Sequence, residues 1–313
     1  MNLWTGRRLR KLWPGDRFSK RNYSDDVAIS CNKSTIMGVL NVTPDSFSDG
    51  GDFFSPENAV NHALKMVSEG ADIIDIGGES SRPGSEPVSA DEELSRVLPI
   101  IRKIRGHPRE GGDPVNSRDS IFLGNDRPII SIDTTKAIVA SEAISAGAGM
   151  INDISAGTSD EKMLKVAAKA GVSICLMHMR GSPKTMQRGD MHYDDVIGEI
   201  KDYLSKRILS AEKAGVKREN IIIDPGIGFG KTVEHNVTIL KELKKFKTLG
   251  CPILIGTSRK SFIGHLLGGI DAKERLEGTL ATIGIAVQNG ASIVRAHDVK
   301  ETKRFLEVLN KFC

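Results

Sequence analysis

The chain is predicted to be an α/β protein, a single-domain (β/α)8 barrel, on three observations. Eight short β-branched or apolar runs recur between residues 34 and 313, segments with helical spacing lie between them, and every apolar run ends in polar or charged residues. The runs are "TIMGVLNV", "DIIDIGG", "PIISIDT", "MINDISA", "VSICLMH", "NIIIDPG", "PILIGTS" and "SIVRAHD". They are almost continuously hydrophobic and do not alternate with period two, which suits strands of a parallel sheet covered on both faces. Eight strands, each followed by a helix, is the count of a TIM barrel. A doubly wound open sheet is the alternative, and the lack of Gly-x-Gly-x-x-Gly after the first strand argues against it.

After the first strand comes the polar loop "NVTPDSFSDGG", Asn41–Gly51, and then "SPENAVNHALKMVSEG". Ser55 is placed to cap this helix, Pro56 to occupy its first turn and Gly70 to stop it. Ala59, Ala63, Met66 and Val67 share one face. "SADEELSRVLPIIRKI", "KAIVASEAISAG", "SDEKMLKVAAKAG", "DVIGEIKDYLSKRILSAEKAG", "TVEHNVTILKELKKFKTLG", "AKERLEGTLATIGIAVQNG" and "VKETKRFLEVLNKF" follow the later strands, several ending in Gly directly before the next one.

Two segments break the repeat. Residues 1–33 are basic and aperiodic, an N-terminal extension expected to be disordered or to reflect an upstream start codon, with a transit peptide as the alternative. Residues 106–127 are rich in Gly, Pro and charge, and read as a surface insertion before strand three, on the barrel face away from the catalytic loops. The rest, 34–313, forms the barrel domain.

The length of 313 residues suits such a barrel, and 39% hydrophobic with 27% charged residues describes a chain able to bury a sizeable core. The net charge of +4 is concentrated in the N-terminal segment, so it predicts no nucleic-acid partner. No apolar run is long enough to span a bilayer, so no membrane partner is expected. Cys31, Cys175, Cys251 and Cys313 are scattered without a CxxC pair, the pattern of small core residues in a reducing compartment. A cytoplasmic location follows, or an organelle matrix if residues 1–33 are a transit peptide.

In a barrel of this kind the active site gathers at the C-terminal ends of the strands. Those ends carry Asn41; Glu79, Ser80, Ser81 and Arg82; Asp133 and Lys136; Asn152 and Asp153; His178; Asp224; Ser258, Arg259, Lys260 and Ser261; and Arg295, His297 and Asp298. A single such residue would be an ordinary cap. Eight of eight describe a cup lined with hydrogen-bonding groups. Asp133, Asn152 and Asp224 suit the edge of an amide-and-amine heterocycle. Arg82, Arg259, Lys260 and Arg295, with His297, suit an anion such as phosphate. Asn41 beside them suits Mg²⁺ bridging phosphate oxygens, and no His/Cys set has zinc spacing. His178 reads equally as a ligand or a structural histidine. "GIGFGK" lacks the full spacing of a phosphate-binding P-loop.

In order along residues 34–313, "IMGVLNVTPDSFSDGG", "GADIIDIGGESSRPG", "ISIDTTK", "INDISAG", "CLMHMRG", "IIIDPGIGFGK", "GTSRKSFIG" and "VRAHDV" resemble the motifs of dihydropteroate synthases. The resemblance implies a transferase of folate biosynthesis and a sulfonamide target. It would join 6-hydroxymethyl-7,8-dihydropterin diphosphate to p-aminobenzoate with Mg²⁺, as a homodimer through outer helices. It implies that Asp133, Asn152, Asp224 and Lys260 bind the pterin. Asn41 would sit at the Mg²⁺ and diphosphate, with Ser81, Arg295 and His297 on the anion. Pro83, Phe229, Lys260 and Ser261 would frame the p-aminobenzoate slot, under closing loops that hold Asp45–Phe47 and Ser81–Pro83. The residues expected to carry catalysis are Asn41, Asp45, Arg82, Lys260 and Arg295. Ser81 stands where members often have Thr, and Ala137 where many have Pro.

Three rivals differ by what they would leave unused. A corrinoid-linked methyltetrahydrofolate methyltransferase needs pterin-binding acids but no diphosphate cations. A non-catalytic pterin-binding paralogue would have lost loop residues. A phosphate-binding barrel of sugar metabolism would not need "DIGGESSRPG".

Overall fold

The computed structural model describes residues 34–43, 56–80, 84–105, 128–181, 186 and 191–312. Eight parallel strands form one sheet: β1 (Thr35–Asn41), β2 (Ile73–Gly77), β3 (Ile129–Asp133), β4 (Met150–Asp153), β5 (Ser173–Met177), β6 (Ile221–Asp224), β7 (Leu254–Ile255) and β8 (Ile293–Ala296). Sequential strands pair from β1 to β6, and β8 joins β1 to β7. The ring closes between β6 and β7 through a parallel bridge from Ile223 to Ile253, where Ile223 N–H donates to the Pro252 carbonyl at 3.0 Å. The TIM barrel expected from the repeat is present.

Helices pack around it: α1 (Pro56–Ser68), α2 (Ala90–Arg105), α3 (Ala137–Ser145), α4 (Met163–Ala170), α5 (Val196–Lys213), α6 (Val233–Lys241), α7 (Ser261–Leu266), α8 (Leu276–Gln288) and α9 (Val299–Leu309). Helix α1 begins at Pro56 and buries Ala59, Ala63 and Met66, as its spacing predicts. Gly171 and Gly290 adopt φ of 66° and 102° and turn α4 and α8 back into the next strand, a conformation that costs a glycine least. Two details depart from the sequence reading. The helix after β6 ends at Lys241 and continues as a 3-10 segment, Leu243–Leu249. The loop after β7 carries the extra short helix α7. Ala137, where proline is common, uses its backbone N–H to donate to Asp160 Oδ2 at 2.9 Å, a bond proline could not make.

Most apolar residues lie between barrel and helices, in one cluster spanning Ile36 to Leu306. A second cluster takes one residue from every strand: Met37, Ile73, Ile129, Met150, Cys175, Ile222, Leu254 and Ile293. It is the floor of the barrel interior. Side chains on a strand repeat their direction every second residue. Two positions further along therefore come Val39, Asp75, Ser131, Asn152, Met177, Asp224, Gly256 and Arg295. Five of these eight, Asp75, Ser131, Asn152, Asp224 and Arg295, are polar or charged, so polarity enters the interior at this layer and makes the cup. Cys175 in the floor and Cys251 are buried free thiols, as expected; Cys31 and Cys313 lie outside the described residues. So do residues 1–33 and 106–127, Ser55, and the site expectations at Asp45, Phe47, Ser81, Arg82 and Pro83.

Candidate active site

The polar layer is tied together by one guanidinium. Arg295 Nε donates to Asp75 Oδ2 at 2.7 Å, and its Nη2 donates to Asp133 Oδ2 at 2.9 Å. Asn152 Nδ2 donates to the same Asp75 oxygen at 2.9 Å. These bonds leave the Arg295 Nη1 group for another partner. Asp133 lies deep enough that its carboxyl is pushed up to about 7, by burial first and then by the Asp75 carboxylate, with Arg295 opposing. Asn41 at the end of β1 and Asp133 flank Gly77, since a Cβ there would stand 3.8 Å from Asn41 Oδ1 and 3.7 Å from Asp133 Oδ2. Glycine at this register position keeps the space between them open.

On the opposite wall, Asp224 Oδ1 accepts from Gly226 N at 2.7 Å, which leaves Oδ2 toward the cup. Burial holds this carboxyl above the ordinary carboxylate range, against the pull of Lys260 and the Gly226 N–H. Gly226 has φ of 73°, and a Cβ there would come within 1.9 Å of the His178 carbonyl oxygen, so the turn after β6 requires glycine. Lys260 Nζ donates to the Ile227 carbonyl and sits 4.6 Å from the centre of the Phe229 ring. Burial lowers its ammonium to about 8, with Asp224 resisting and Arg295 assisting. Ser261, exposed, opens α7 directly after it. His297 N and Nδ1 lie 3.2 and 3.0 Å from Ser258 Oγ. Thus Arg295 and Asp75 join Asp133 and Asn152, Lys260 lies against Phe229, and Asn41, Asp224, Ser261 and His297 stand at strand ends or in the segments that follow them.

Several polar strand-end residues serve the scaffold instead. Asp153 accepts from Ser155 N, Ser155 Oγ and Gly157 N at 2.6–2.8 Å and shapes the turn after β4. Arg259, expected among the anion-binding cations, grips Asp298 with Nε at 3.1 Å and Nη2 at 2.5 Å. That pair neutralises the charge locally. Arg259 also has φ of 59°, held by Thr279 Oγ1 on its N–H and by Arg275 Nη1 on its carbonyl. This fixes the turn that presents Lys260. Lys136, in the loop after β3, bridges Glu79 in the loop after β2 and the fully buried Glu93 of α2. His178 takes the structural reading: Lys231 Nζ lies 3.0 Å from its Nδ1, and burial with Lys231 and Arg180 lowers the imidazole to about 3, a neutral ring. Lys231 also donates to the His178 and Phe229 carbonyls, stitching the loop after β5 to the loop after β6. Burial lowers its own ammonium to about 7.

Asp75 and Lys231 carry no site role in the sequence reading. The signal for Asp75 was present, because an acid inside "DIIDIGG" falls two residues beyond Ile73 of the floor. Lys231 ends a glycine run read only as a weak phosphate loop.

The fold and this cup define the class, a barrel enzyme whose strand ends present carboxylates, an amide and a guanidinium to its ligand. The model of the family "Pterin binding enzyme" matches residues 37–297. The dihydropteroate synthase of Synechocystis sp. is 49% identical over 276 residues, covering 88% of this chain and 89% of its own. The solved structure of the Xanthomonas albilineans dihydropteroate synthase in complex with 7,8-dihydropteroate superposes with a TM-score of 0.75 at 38% identity, covering 90% of this chain and 94% of that one. The Yersinia pestis enzyme in a sulfonamide drug complex gives 0.78 at 40% identity, with the same coverage. The chain belongs to the dihydropteroate synthases of the pterin binding enzyme family.

Proposed function

We propose that this chain condenses 6-hydroxymethyl-7,8-dihydropterin diphosphate with p-aminobenzoate, giving 7,8-dihydropteroate and diphosphate. The observation that carries the reading is the polar layer directly above the apolar floor, where Asp75, Asn152, Asp224 and Arg295 occupy equivalent positions two residues beyond it. Family membership adds the order of the motifs around it.

The pterin edge carries an amino group beside a ring N–H, and the free oxygen of Asp224 accepts from them as a carboxylate accepts from a guanidinium. Asn152 and Lys260 complete the ring contacts. Arg295 and His297, with Ser81, receive the diphosphate, and Phe229, Lys260, Ser261 and Pro83 frame the p-aminobenzoate ring. Bond breaking between the methylene carbon and the diphosphate oxygen leaves negative charge on the departing group. The free Nη1 edge of Arg295 can follow that charge, which lowers the barrier most where the charge develops. The aniline nitrogen attacks the methylene carbon, the new C–N bond forms, and a proton leaves the nitrogen. That nitrogen is nucleophilic without a strong base, so no general base is assigned. Departure before attack and concerted displacement both fit this arrangement. Asp45 and Arg82 are assigned to the loops that exclude water.

The donor set suits Mg²⁺. Asn41 offers a hard amide oxygen beside Asp133, and Mg²⁺ keeps most of its shell as water and substrate oxygens. Asn41 would hold it, and the ion would neutralise diphosphate charge. Among the described residues no cluster of three His, Cys, Asp or Glu competes as a metal site. Sulfonamides, as p-aminobenzoate mimics, would enter the slot at Phe229 and Lys260. Exposed Leu266, Leu267 and Ile285 on and beside α7 and α8 support a homodimer through the outer helices. No helix among the described residues is long and apolar enough to cross a membrane. The reading places the enzyme in the cytoplasm, or in an organelle matrix if residues 1–33 direct it there. Purified protein given both substrates and Mg²⁺ should release diphosphate and form 7,8-dihydropteroate, with neither product when one substrate is omitted. Folded protein that forms no dihydropteroate would overturn the assignment.

A further inference from the structure

Asp75 is fully buried at the centre of β2, and its two hydrogen bonds reach two different halves of the cup. Oδ2 accepts Asn152 Nδ2–H and Arg295 Nε–H, while Oδ1 is buried with no hydrogen-bond partner among the described residues. An unpartnered buried oxygen of this kind is destabilising, because it has given up water without gaining a donor. A residue there only for packing would avoid that cost by being apolar, as its neighbours Ile74 and Ile76 are.

We propose that Asp75 is a positioning residue that sets the donor–acceptor polarity of the cup, and with it the selection of a ring edge that carries N–H donors. The proposal rests on reading the cup as the pterin site. A carboxamide can turn either end to a neighbour, whereas a carboxylate only accepts. Facing Asp75, Asn152 must present an N–H to it, so its carbonyl oxygen turns away from that carboxylate as an acceptor for ligand. Asp224 is constrained in parallel, because the Gly226 N–H takes Oδ1 and leaves Oδ2. The cup thus offers acceptors on two walls, which match amino and ring N–H groups and mismatch a ring edge of lone pairs. The same Asp75 oxygen sets the plane of the Arg295 fork. With Nε on Asp75 and Nη2 on Asp133, the Nη1 edge is the part left for an anion. One carboxylate therefore aligns both the ring-binding amide and the anion-binding guanidinium.

The test is calorimetry with 6-hydroxymethylpterin, which lacks the diphosphate, on Asp75→Leu and Asp75→Asn, together with steady-state kinetics. Asp75→Leu removes the one oxygen that takes both N–H groups, so the Asn152 amide can turn either way. It should weaken the pterin at least tenfold and raise the KM of the pterin diphosphate, while the KM of p-aminobenzoate stays within twofold. A merely structural defect would move both KM values. Asp75→Asn can keep an oxygen in the Oδ2 position, where it still accepts from Asn152 and Arg295, with its NH₂ at the unpartnered Oδ1 position. Its pterin affinity should stay within threefold of wild type. Pterin affinity unchanged in Asp75→Leu, or lost as far in Asp75→Asn as in Asp75→Leu, would overturn the proposal. If Asp75→Leu does not fold by circular dichroism, Asp75→Ser, whose hydroxyl is too short to reach both donors, takes its place with the same expected loss. Wild-type protein that binds no pterin would instead remove the pterin-site reading itself.

Discussion

Replacing Asp224 by Asn changes one oxygen to an amide and little else. The Oδ1 bond from Gly226 N, 2.7 Å in the wild type, can persist, so the turn after β6 keeps its anchor. What changes is the group facing the ligand. The wild-type oxygen is a carboxylate acceptor, and a hydrogen bond to a charged group contributes about 1.5–3 kcal/mol. An NH₂ in its place loses that bond and sets donor against donor on the pterin edge. The variant should therefore lose about 2–4 kcal/mol of binding, roughly 30- to 700-fold in Kd at 1.4 kcal/mol per tenfold. Isothermal titration with 6-hydroxymethylpterin at pH 7.5 measures it directly, with circular dichroism to establish folding. A folded Asp224→Asn protein whose Kd lies within threefold of wild type would remove Asp224 from the ring site and refute the reasoning.

Arg295→Lys should keep a cation for Asp75 and Asp133 but lose the Nη1 edge, so the diphosphate substrate should bind about 10- to 100-fold more weakly while the bare pterin changes little; equal losses would contradict the anion assignment. Asp133 titrates near 7 in the folded chain and near 3.8 unfolded, so the folded state holds a proton that the unfolded state has released, and stability declines as pH climbs from about 4 to about 7. Asp133→Asn should remove that decline, at most about 4 kcal/mol from 1.36 kcal/mol per unit, and denaturant melts at pH 4 and pH 8 would find the same slope as wild type if the reasoning fails. Gly226→Ala drives a methyl onto the His178 carbonyl and strains φ, so it should lower thermal stability and pterin affinity together. Lys231→Met leaves His178 Nδ1 and two carbonyls without their donor and should cost about 2–4 kcal/mol in denaturant unfolding, with the pterin affinity of the surviving fold reduced through the joined loops.

The sequence alone determined the barrel. Eight buried runs such as "PIISIDT" and "NIIIDPG" are marked by neighbouring isoleucines, Ile129–Ile130 with Ile132 and Ile221–Ile223, and their order needs no long-range information. It also determined where the cup must lie, because each run ends in a polar group and a barrel exposes those ends on one face. Residues such as Asp133, Asn152, Asp224 and Arg295 were legible for that reason. Tertiary structure decided which of those polar groups face one another. Arg259 reads like Arg295 in one dimension, but a left-handed turn held by Thr279 and Arg275 carries it onto Asp298, whereas Arg295 sits in the register that points inward. Asn152 and Asp153 are adjacent in sequence and point to opposite sides, as side chains on a strand must. The partners of Asp75 are not legible in the sequence, because they lie 77 and 220 residues away and only closing the ring through β8 brings the arginine to it. Hydrogen bonds depend on distance and direction across strands, and sequence spacing encodes neither until the sheet has closed.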